Sequence, residues 1–271
     1  MSNATIPEES DSPERGKSVS TDSFLQSPAV TTRASEVFKE ILQAIVEGQI
    51  AAGSKISEPE LARAYGISRG PLREALGRLE ACHLILRKPN VGARVISLTN
   101  EELLEIYHIR EALEGMACRL AAEKMGAKEV AELRHLLQQQ MQNAELREGR
   151  AYYQEQGDLD FHYLIVQGSR NTKLINLLCN ELYHLVRMYR FQFGMPSPRA
   201  RRAFAEHAHI IDAIENGDGE LAEILMRRHI RASRANIEKR LRVGDQSPGT
   251  APVGSRTRAS AQVEMQEEGQ Q

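Results

Sequence analysis

The chain has 271 residues, which is enough for two domains of modest size. Its 35 Lys and Arg against 37 Asp and Glu give a formal net charge of −2, so the overall charge gives no argument for nucleic-acid binding. No apolar run reaches the roughly 18–20 residues of a membrane span and no signal-peptide pattern opens the chain, so we expect no membrane partner. The cysteines Cys82, Cys118 and Cys179 are odd in number and widely spaced, which indicates reduced thiols in the cytoplasm rather than a disulfide framework.

Composition divides the chain into four parts. Residues 1–30 and 243–271 are rich in small polar residues and Pro, so both tails are predicted to be disordered. Residues 31–97 and 98–242 are predicted to be two folded domains. Residues 33–96 hold ten Lys/Arg against seven Asp/Glu, a net +3, whereas residues 97–242 hold 21 of each. The positive charge therefore lies in the first domain, where a nucleic-acid interface would need it.

Three helices are predicted in the first domain, at about Ala34–Glu47, Glu58–Tyr65 and Arg69–Glu80. Gly48 ends the first of them. Ser57 and Glu60 have the spacing of a capping box for the second, and Ser68 is placed to cap the third. The short second and third helices, joined by a tight turn, indicate a helix-turn-helix.

The third helix has two different faces. Its apolar residues recur at helical spacing and predict a buried stripe: Leu72, Ala75, Leu76 and Leu79. The opposite side carries Arg69, Gly70, Arg73, Glu74 and Gly77. Two arginines and two positions without side chains near a helix N-terminus suit close approach to a phosphate backbone and a groove. The alternative is an ordinary helical hairpin with a solvated basic face.

Two short apolar runs follow, Leu84–Leu86 and Ala93–Ile96, around a basic tip that contains Lys88 and Gly92. This pattern predicts a β-hairpin wing, so the first domain is predicted to be a winged helix-turn-helix.

Residues 33–96 resemble the DNA-binding domain of the GntR family of bacterial transcription regulators. The resemblance is carried by Ala52-Gly53, Gly66-Ile67-Ser68-Arg69, Pro71-Leu72-Arg73-Glu74-Ala75-Leu76, Arg78-Leu79-Glu80, Gly92 and Val95. It implies double-stranded DNA as the partner. Ser68, Arg69, Gly70 and Arg73, with Lys88 and Gly92 at the wing, are the expected contact residues. His83 stands where the family commonly has a glycine at the end of the recognition helix.

The second domain is predicted to be an all-α antiparallel bundle because strand signals are absent and helical periodicity continues throughout. Its predicted helices are 100–124, 128–147, 152–167, 172–191, 199–216 and 219–241. Thr99 and Glu102 form a second capping-box pattern at its start.

Four potential metal ligands occur on three of these helices. Asp158 and His162 are four residues apart and share one helix face, while His207 and His229 lie on later helices. One carboxylate and three imidazoles suit a divalent transition metal. From spacing alone, buried histidines bonded to neighbouring groups are the commoner outcome.

Residues 100–240 resemble the FCD ligand-binding domain of the FadR subfamily. The matching segments are Ile109-Arg110-x-x-Leu113-Glu114, Asp158-x-x-Phe161-His162, Glu206-His207 and Met226-x-x-His229. The resemblance implies that Asp158, His162, His207 and His229 are metal ligands, which places the chain in the metal-containing branch. Zinc is the first expectation, with nickel, manganese and iron as alternatives.

A small carboxylate effector would need a cationic partner beside the metal. Arg110 interrupts an apolar helix face where the resemblance implies an arginine that points into the cavity. Tyr183 and Arg187 are further candidates, although Arg187 could equally be a surface residue. Glu181, His184 and His209 could be partners of the ligands or have no part in the site, and Arg199, Arg201 and Arg202 are predicted to be solvated.

Two other classes of function were weighed against a regulator. Asp and three His could activate water in a metal-dependent hydrolase, but the chain has no HExxH motif and no evident general base. A helical protein-interaction module is the other alternative. Ester hydrolysis with and without metal and a gel shift on the protein's own upstream DNA separate the three. We predict a homodimeric repressor, not an enzyme, that binds a palindromic operator.

Overall fold

The structure is a computed structural model that describes residues 32–88, 92–142, 157–192 and 199–244. Residues 1–30 and almost all of residues 243–271, the two predicted tails, lie outside these ranges. Within the described ranges the architecture is the predicted one, a winged helix-turn-helix followed by a bundle of helices.

The first domain contains α1 (Arg33–Val46), β1 (Lys55–Ile56), α2 (Glu58–Ala64), α3 (Arg69–Ala81), β2 (Ile85–Lys88) and β3 (Gly92–Val95). The wing is larger than the predicted hairpin because β1 adds a third strand, and the antiparallel sheet has the order β1-β3-β2. Lys55 pairs with Arg94, and Lys88 pairs with Gly92. A strand of two residues is too short to show apolar alternation, so no pattern in the sequence indicates it.

The core of this domain lies between α1 and α3, which pack on each other. The predicted stripe of α3 is completely buried, and Ile41 and Ile45 of α1 are buried in the same core cluster. Each such aliphatic side chain stabilises the fold by about 1.5–3 kcal/mol. Because this stripe holds the helix against α1, the opposite side of α3 is left open to solvent.

Only some of the predicted capping hydrogen bonds are present at the helix N-termini. Thr99 and Glu102 form the predicted capping box. Ser57 and Ser68 are the N-cap residues of α2 and α3, but neither side chain makes the capping hydrogen bond. Just beyond α3, His83 has a φ of 56°, a conformation that glycine adopts with less strain.

The helical domain contains α4 (Asn100–Lys124), α5 (Ala127–Gln142), α6 (Gly157–Gly168), α7 (Thr172–Ile175), a π-helical segment (Asn176–Leu182), α8 (Tyr183–Gln192), α9 (Ala200–Glu215) and α10 (Gly219–Gly244). The predicted ends at 143–147 and the start at 152–156 lie outside the described residues. The single helix predicted over 172–191 is interrupted by the π-helical segment. Apolar spacing does not reveal such a segment, because a wider turn only shifts the phase of the pattern after it.

Helix α4 is central in this domain: α10 packs along it, and α6 and α9 also contact it. Helix α8 packs against α1, which joins the two domains, and His83 Nε2 lies 3.4 Å from Glu181 Oε2 in the π-helical segment. Among the helices that the structure describes, none is long and apolar enough to cross a membrane.

Candidate functional site

The exposed side of α3 carries the predicted DNA-binding residues. Ser68, Arg69, Gly70 and Arg73 are all exposed, while the buried stripe faces α1. A Cβ atom added at Gly70 would meet nothing within 4 Å, so this position is open for close approach of another molecule. The side chain of Arg73 is held by an exposed ion pair to Glu58 of α2, with Nε 3.1 Å from Oε2.

The wing presents a second basic element beside this helix. Gly92 opens β3 with a φ of 92°, so the tight end of the hairpin requires glycine at this position. Lys88 ends β2, and its side chain lies outside the described part of the structure, as do residues 89–91. The recognition helix and the wing thus form an exposed surface typical of winged helix-turn-helix domains that bind the DNA backbone and a groove.

The helical domain brings three distant histidines together in its interior. His162 of α6, His207 of α9 and His229 of α10 are all buried, and one potential ligand atom of each lies within 4.8 Å of the others. Phe161 stacks on His207 at a centroid separation of 3.9 Å. Asp158, the fourth predicted ligand, lies one turn before His162 on α6, and its side chain is outside the described residues.

Two carboxylates hold the rings of this cluster. The Nδ1 atom of His162 lies 2.6 Å from Glu114 Oε2, and that of His229 lies 2.8 Å from Glu206 Oε2. An ionised carboxylate only accepts hydrogen bonds, so each Nδ1–H donates, and in the neutral ring each Nε2 keeps its lone pair. This pattern is the usual one for metal-binding histidines.

The spacing of the ring nitrogens fits a metal ion. His207 Nε2 and His229 Nε2 are 3.3 Å apart. Two nitrogens in a tetrahedral zinc site, each about 2.0–2.1 Å from the ion, are separated by about 3.3 Å. A hydrogen bond between the two rings would have a similar length, but it would leave the approach of His162 unexplained. Three converging imidazoles are therefore better suited to a cation than to a hydrogen-bonded pair.

Arg110 lies beside this cluster and is completely buried. Its Nε donates to Glu114 Oε1 at 2.6 Å, so one carboxylate bridges the arginine and His162. Burial by itself would raise the pKa of Glu114, but Arg110 and then His162 outweigh it, and the pKa falls to about 2. Glu114 is therefore an anion at neutral pH.

The two Nη atoms of Arg110 are buried and make no hydrogen bond with any residue in the described ranges. A buried guanidinium with unsatisfied donors is costly unless an acceptor reaches it. Two parallel N–H groups match the two oxygens of a carboxylate. The arrangement can therefore bind an anion next to the histidine cluster.

Aromatic side chains surround this guanidinium. Arg110 Cζ lies 4.8 Å from the ring centroid of Tyr107 and 5.7 Å from that of Tyr183. The Tyr183 hydroxyl is buried near Glu114 but forms no hydrogen bond of normal geometry with the described residues. Burial, followed by the charge of Glu114, raises the pKa of Tyr183, so it remains a neutral phenol.

The sequence did not point to Arg190 and Tyr107, which also belong to this region. The Arg190 guanidinium donates to the Tyr107 hydroxyl from Nε at 3.1 Å and Nη2 at 2.9 Å, and both residues are buried. Helical spacing was the one feature of the sequence that could have identified these two residues. Tyr107 lies three residues before Arg110, and Arg190 lies seven residues after Tyr183, so each shares a face with a candidate.

Arg187, the third effector candidate, is half-buried on α8 beside His184. Burial and then the charge of Arg187 lower the pKa of His184 to about 4, so His184 is neutral. Among the hydrogen bonds and ion pairs of the described residues, none joins His184 to the histidine cluster.

Two open candidates are not partners of the cluster, and one expectation is wrong. Glu181 is paired with His83 of the first domain, and His209 is exposed, so neither supports a ring of the cluster. Arg199, expected to be solvated, is mostly buried, and it contacts Glu206 and donates to Ser233 Oγ at 2.9 Å. The groups that do hold the rings are Glu114 and Glu206. Both stand within the motifs on which the resemblance rested, but the sequence alone assigned them no role.

Comparisons with known proteins match a family model to each of the two domains. The family model for bacterial regulatory proteins of the gntR family matches residues 33–95, and the model for the FCD domain matches residues 105–232. The first range contains the recognition helix and wing, and the second contains Arg110 and all three histidines of the cluster.

Two curated relatives are similar along most of their length. A probable D-xylose utilization operon transcriptional repressor of Paenarthrobacter nicotinovorans is 33% identical over 205 residues, or 74% of this chain and 87% of that protein. The gluconate operon transcriptional repressor of Bacillus licheniformis is 32% identical over 191 residues, or 67% of this chain and 75% of that protein.

Solved structures support the fold. E. coli McbR/YncC has a TM-score of 0.64 at 22% identity, covering 78% of this chain and all of that one. A GntR regulator of Rhodococcus sp. RHA1 has a TM-score of 0.56 at 23% identity, covering 76% and 98%. At this identity the likeness is evidence for the fold alone. Together with the two family models and the curated relatives, it establishes that the chain belongs to the GntR family of bacterial transcription regulators, with an FCD domain following its winged helix-turn-helix.

Proposed function

We propose that this regulator is a cytoplasmic, homodimeric repressor whose operator binding is modulated by a small organic acid bound beside a divalent transition metal. The observation that carries this proposal is the position of Arg110. Its Nε donates to Glu114, the same carboxylate that contacts the metal-binding candidate His162, and its two Nη atoms are buried without partners among the described residues.

For DNA binding, we assign base and phosphate contacts to Arg69 and Arg73, with Ser68 and Gly70 allowing close approach and Lys88 and Gly92 contacting the backbone from the wing. One winged domain reads only a few base pairs. Two copies related by a two-fold axis would read the two halves of a palindrome, which is the usual solution for helix-turn-helix proteins.

For the metal, we assign His162, His207 and His229 as ligands, with Asp158 as the fourth. A bound divalent cation would supply a Lewis-acidic position to which a carboxylate could bind. Glu114 and Glu206 orient His162 and His229. Arg110 offers its two Nη groups as hydrogen-bond donors to carboxylate oxygens of the ligand that do not bind the metal. Zinc is the first choice because imidazole nitrogens and tetrahedral spacing suit it.

The class of effector follows from the same chemistry. A ligand that reaches both a metal and a buried arginine needs a carboxylate, and additional acidic or hydroxyl groups would use the surrounding phenols of Tyr107 and Tyr183. Relatives named for D-xylose utilization and gluconate operons are in keeping with acids from carbohydrate breakdown. Such a ligand changes operator affinity only if it binds the DNA-competent and incompetent states unequally. A typical coupling is about 1–3 kcal/mol, or some 5–150-fold in affinity.

An operator titration tests this proposal. The protein, loaded with zinc, is titrated onto its own upstream DNA in gel shifts. The titration is done with and without each member of a panel of dicarboxylates, tricarboxylates and sugar acids. We expect one member of the panel to change operator affinity at least about 5-fold. The Arg110→Met variant should bind the operator but lose this response, whereas Arg228→Met, at an exposed position of α10, should keep it. A protein that binds no upstream DNA, or a response that survives in Arg110→Met, would contradict the proposal.

No observation in the structure favours the hydrolase alternative. The described surroundings of the three histidines contain Glu114 and Glu206, and both of these carboxylates are engaged by ring nitrogens and arginines. Neither is placed as a general base that could take a proton from water. The relatives are transcription regulators, which also argues against an enzyme.

A further inference from the structure

Glu114 has an unusual position among the carboxylates that the structure describes. It is buried at the middle of α4, and each of its oxygens accepts one short hydrogen bond, Oε1 from Arg110 and Oε2 from His162, both at 2.6 Å. A single side chain therefore contacts the candidate anion-binding group and a candidate metal ligand. Glu206, the other carboxylate at the cluster, contacts His229 and two arginines, of which Arg202 is exposed.

The hydrogen bond accepted by Glu114 Oε2 determines the tautomer of the His162 ring. A neutral imidazole carries its proton on one nitrogen only. Because the carboxylate accepts, the proton of His162 is on Nδ1, and Nε2 keeps the lone pair that a metal requires.

The other oxygen has a matching effect on Arg110. By accepting from Nε, Glu114 fixes the plane of the guanidinium and leaves the two Nη groups as the donors that face away from it. The same contact supplies the negative charge that allows a completely buried guanidinium to exist.

We infer that Glu114 is a positioning residue that selects the metal-binding tautomer of His162 and at the same time aims Arg110 at the ligand. The inference rests on the proposed metal at the three histidines and the proposed anion at Arg110. It adds that the two sites are set by one side chain, so that neither is formed correctly without it.

The substitution Glu114→Gln tests this assignment through its hydrogen-bond chemistry. An amide has one acceptor oxygen and one donor nitrogen, whereas Arg110 Nε can only donate. The amide oxygen is therefore expected to face Arg110, and the NH2 group to face His162 Nδ1. His162 would then accept at Nδ1 and carry its proton on Nε2, which is the atom that must face the metal.

Zinc affinity, measured on the full-length protein by competition with a chromophoric chelator, is the first readout. We expect Glu114→Gln to bind zinc about 10–100-fold more weakly than wild type, the usual cost of losing a carboxylate that orients a metal-binding histidine. Glu111→Gln is the matched control. Glu111 is a largely buried carboxylate on the same helix, paired with Arg231 and Arg234 but with no histidine, so its loss should leave zinc affinity unchanged.

The second readout is the tautomer of His162 in the wild-type protein itself. Long-range ¹H–¹⁵N NMR of the zinc-free wild-type protein reports which nitrogen of His162 carries the proton, with the signals assigned from a His162→Gln sample. We expect the proton on Nδ1. In Glu114→Gln, provided that its circular dichroism shows a folded protein, we expect it on Nε2.

Two results would overturn the inference: a proton on Nε2 of His162 in the zinc-free wild type, or zinc binding by folded Glu114→Gln that equals wild type. If Glu114→Gln does not fold, the position of the His162 proton in the wild-type spectrum alone tests the inference. If the wild type binds no zinc, the proposed metal function fails, and the spectrum still tests whether Glu114 sets the tautomer.

Discussion

The ion pair between Arg110 and Glu114 gives the sharpest energetic prediction. Replacing Arg110 with Met removes the charge but keeps a long apolar side chain, so the space in the core stays largely filled. Glu114 would then be a buried carboxylate held only by His162. Breaking a buried ion pair by removing one partner typically costs about 3–5 kcal/mol, because the remaining charge is left without compensation.

The pKa of Glu114 gives an independent magnitude. Its pKa lies at about 2 instead of the usual 4.5, although burial acts in the opposite direction. At about 1.4 kcal/mol for each pKa unit, this difference corresponds to about 3 kcal/mol, shared between Arg110 and His162. From the loss of the buried ion pair we expect Arg110→Met to lower the free energy of unfolding by about 3 kcal/mol, a large part of the stability of an ordinary domain.

The pH dependence has a definite sign. The pKa of Glu114 is lower in the folded state, so this contribution is fully present above pH of about 4.5 and is lost as the pH falls towards about 2. The difference between wild type and variant should therefore be largest near neutral pH and shrink in acid.

Urea unfolding of the metal-free protein, followed by circular dichroism at several pH values, measures this difference. The control is Arg228→Met, at an exposed position of α10, which should change stability by less than about 0.5 kcal/mol. The double variant with Glu114→Gln should lose less than the sum of the two single variants. A loss below about 1 kcal/mol for Arg110→Met near pH 7 would refute the view that Arg110 compensates a buried anion.

Three further predictions concern DNA, backbone strain and assembly. Arg73→Ala should cost about 1–3 kcal/mol of specific operator binding in a gel-shift titration if Arg73 makes a bidentate base contact, and unchanged affinity would refute that contact. His83→Gly should relieve the left-handed backbone at φ 56° and raise the melting temperature by about 2–4 °C, partly offset by loss of the weak contact with Glu181; a lower melting temperature would contradict this. Analytical ultracentrifugation at micromolar protein should show a dimer, and a monomer both free and on DNA would rule out the proposed symmetric operator complex.

Patterns local in sequence predicted most of the fold. The spacing of Leu72, Leu76 and Leu79 predicted both the buried and the exposed side of α3, and Thr99 with Glu102 predicted the start of α4. The failures have physical causes. Strand β1 depends on pairing with β3, a contact distant in sequence, and Ser57 has the residue type of a cap without the hydrogen bond.

The site could be predicted only in part. The residue types of His162, His207 and His229 suggest a metal site, but only the family resemblance favours it over bonded core histidines, since their spacing along the chain does not reveal that three helices converge. The sequence does not single out Glu114 or Glu206. Glu114 lies four residues after an Arg and Glu206 lies next to a His, and both patterns are common on solvated helices. Only their burial between charged and ring groups distinguishes them, and burial results from tertiary packing.

The metal content of the purified protein tests the central claim most directly. Elemental analysis of wild type and His207→Ala, after exchange into buffers from about pH 6 to 8 where neutral histidines can ligate, is the measurement. We predict about one divalent transition metal per wild-type chain and almost none in His207→Ala, because one of the three converging imidazoles is lost. A wild-type protein without metal at every pH in this range, or a His207→Ala protein that retains it fully, would contradict the account.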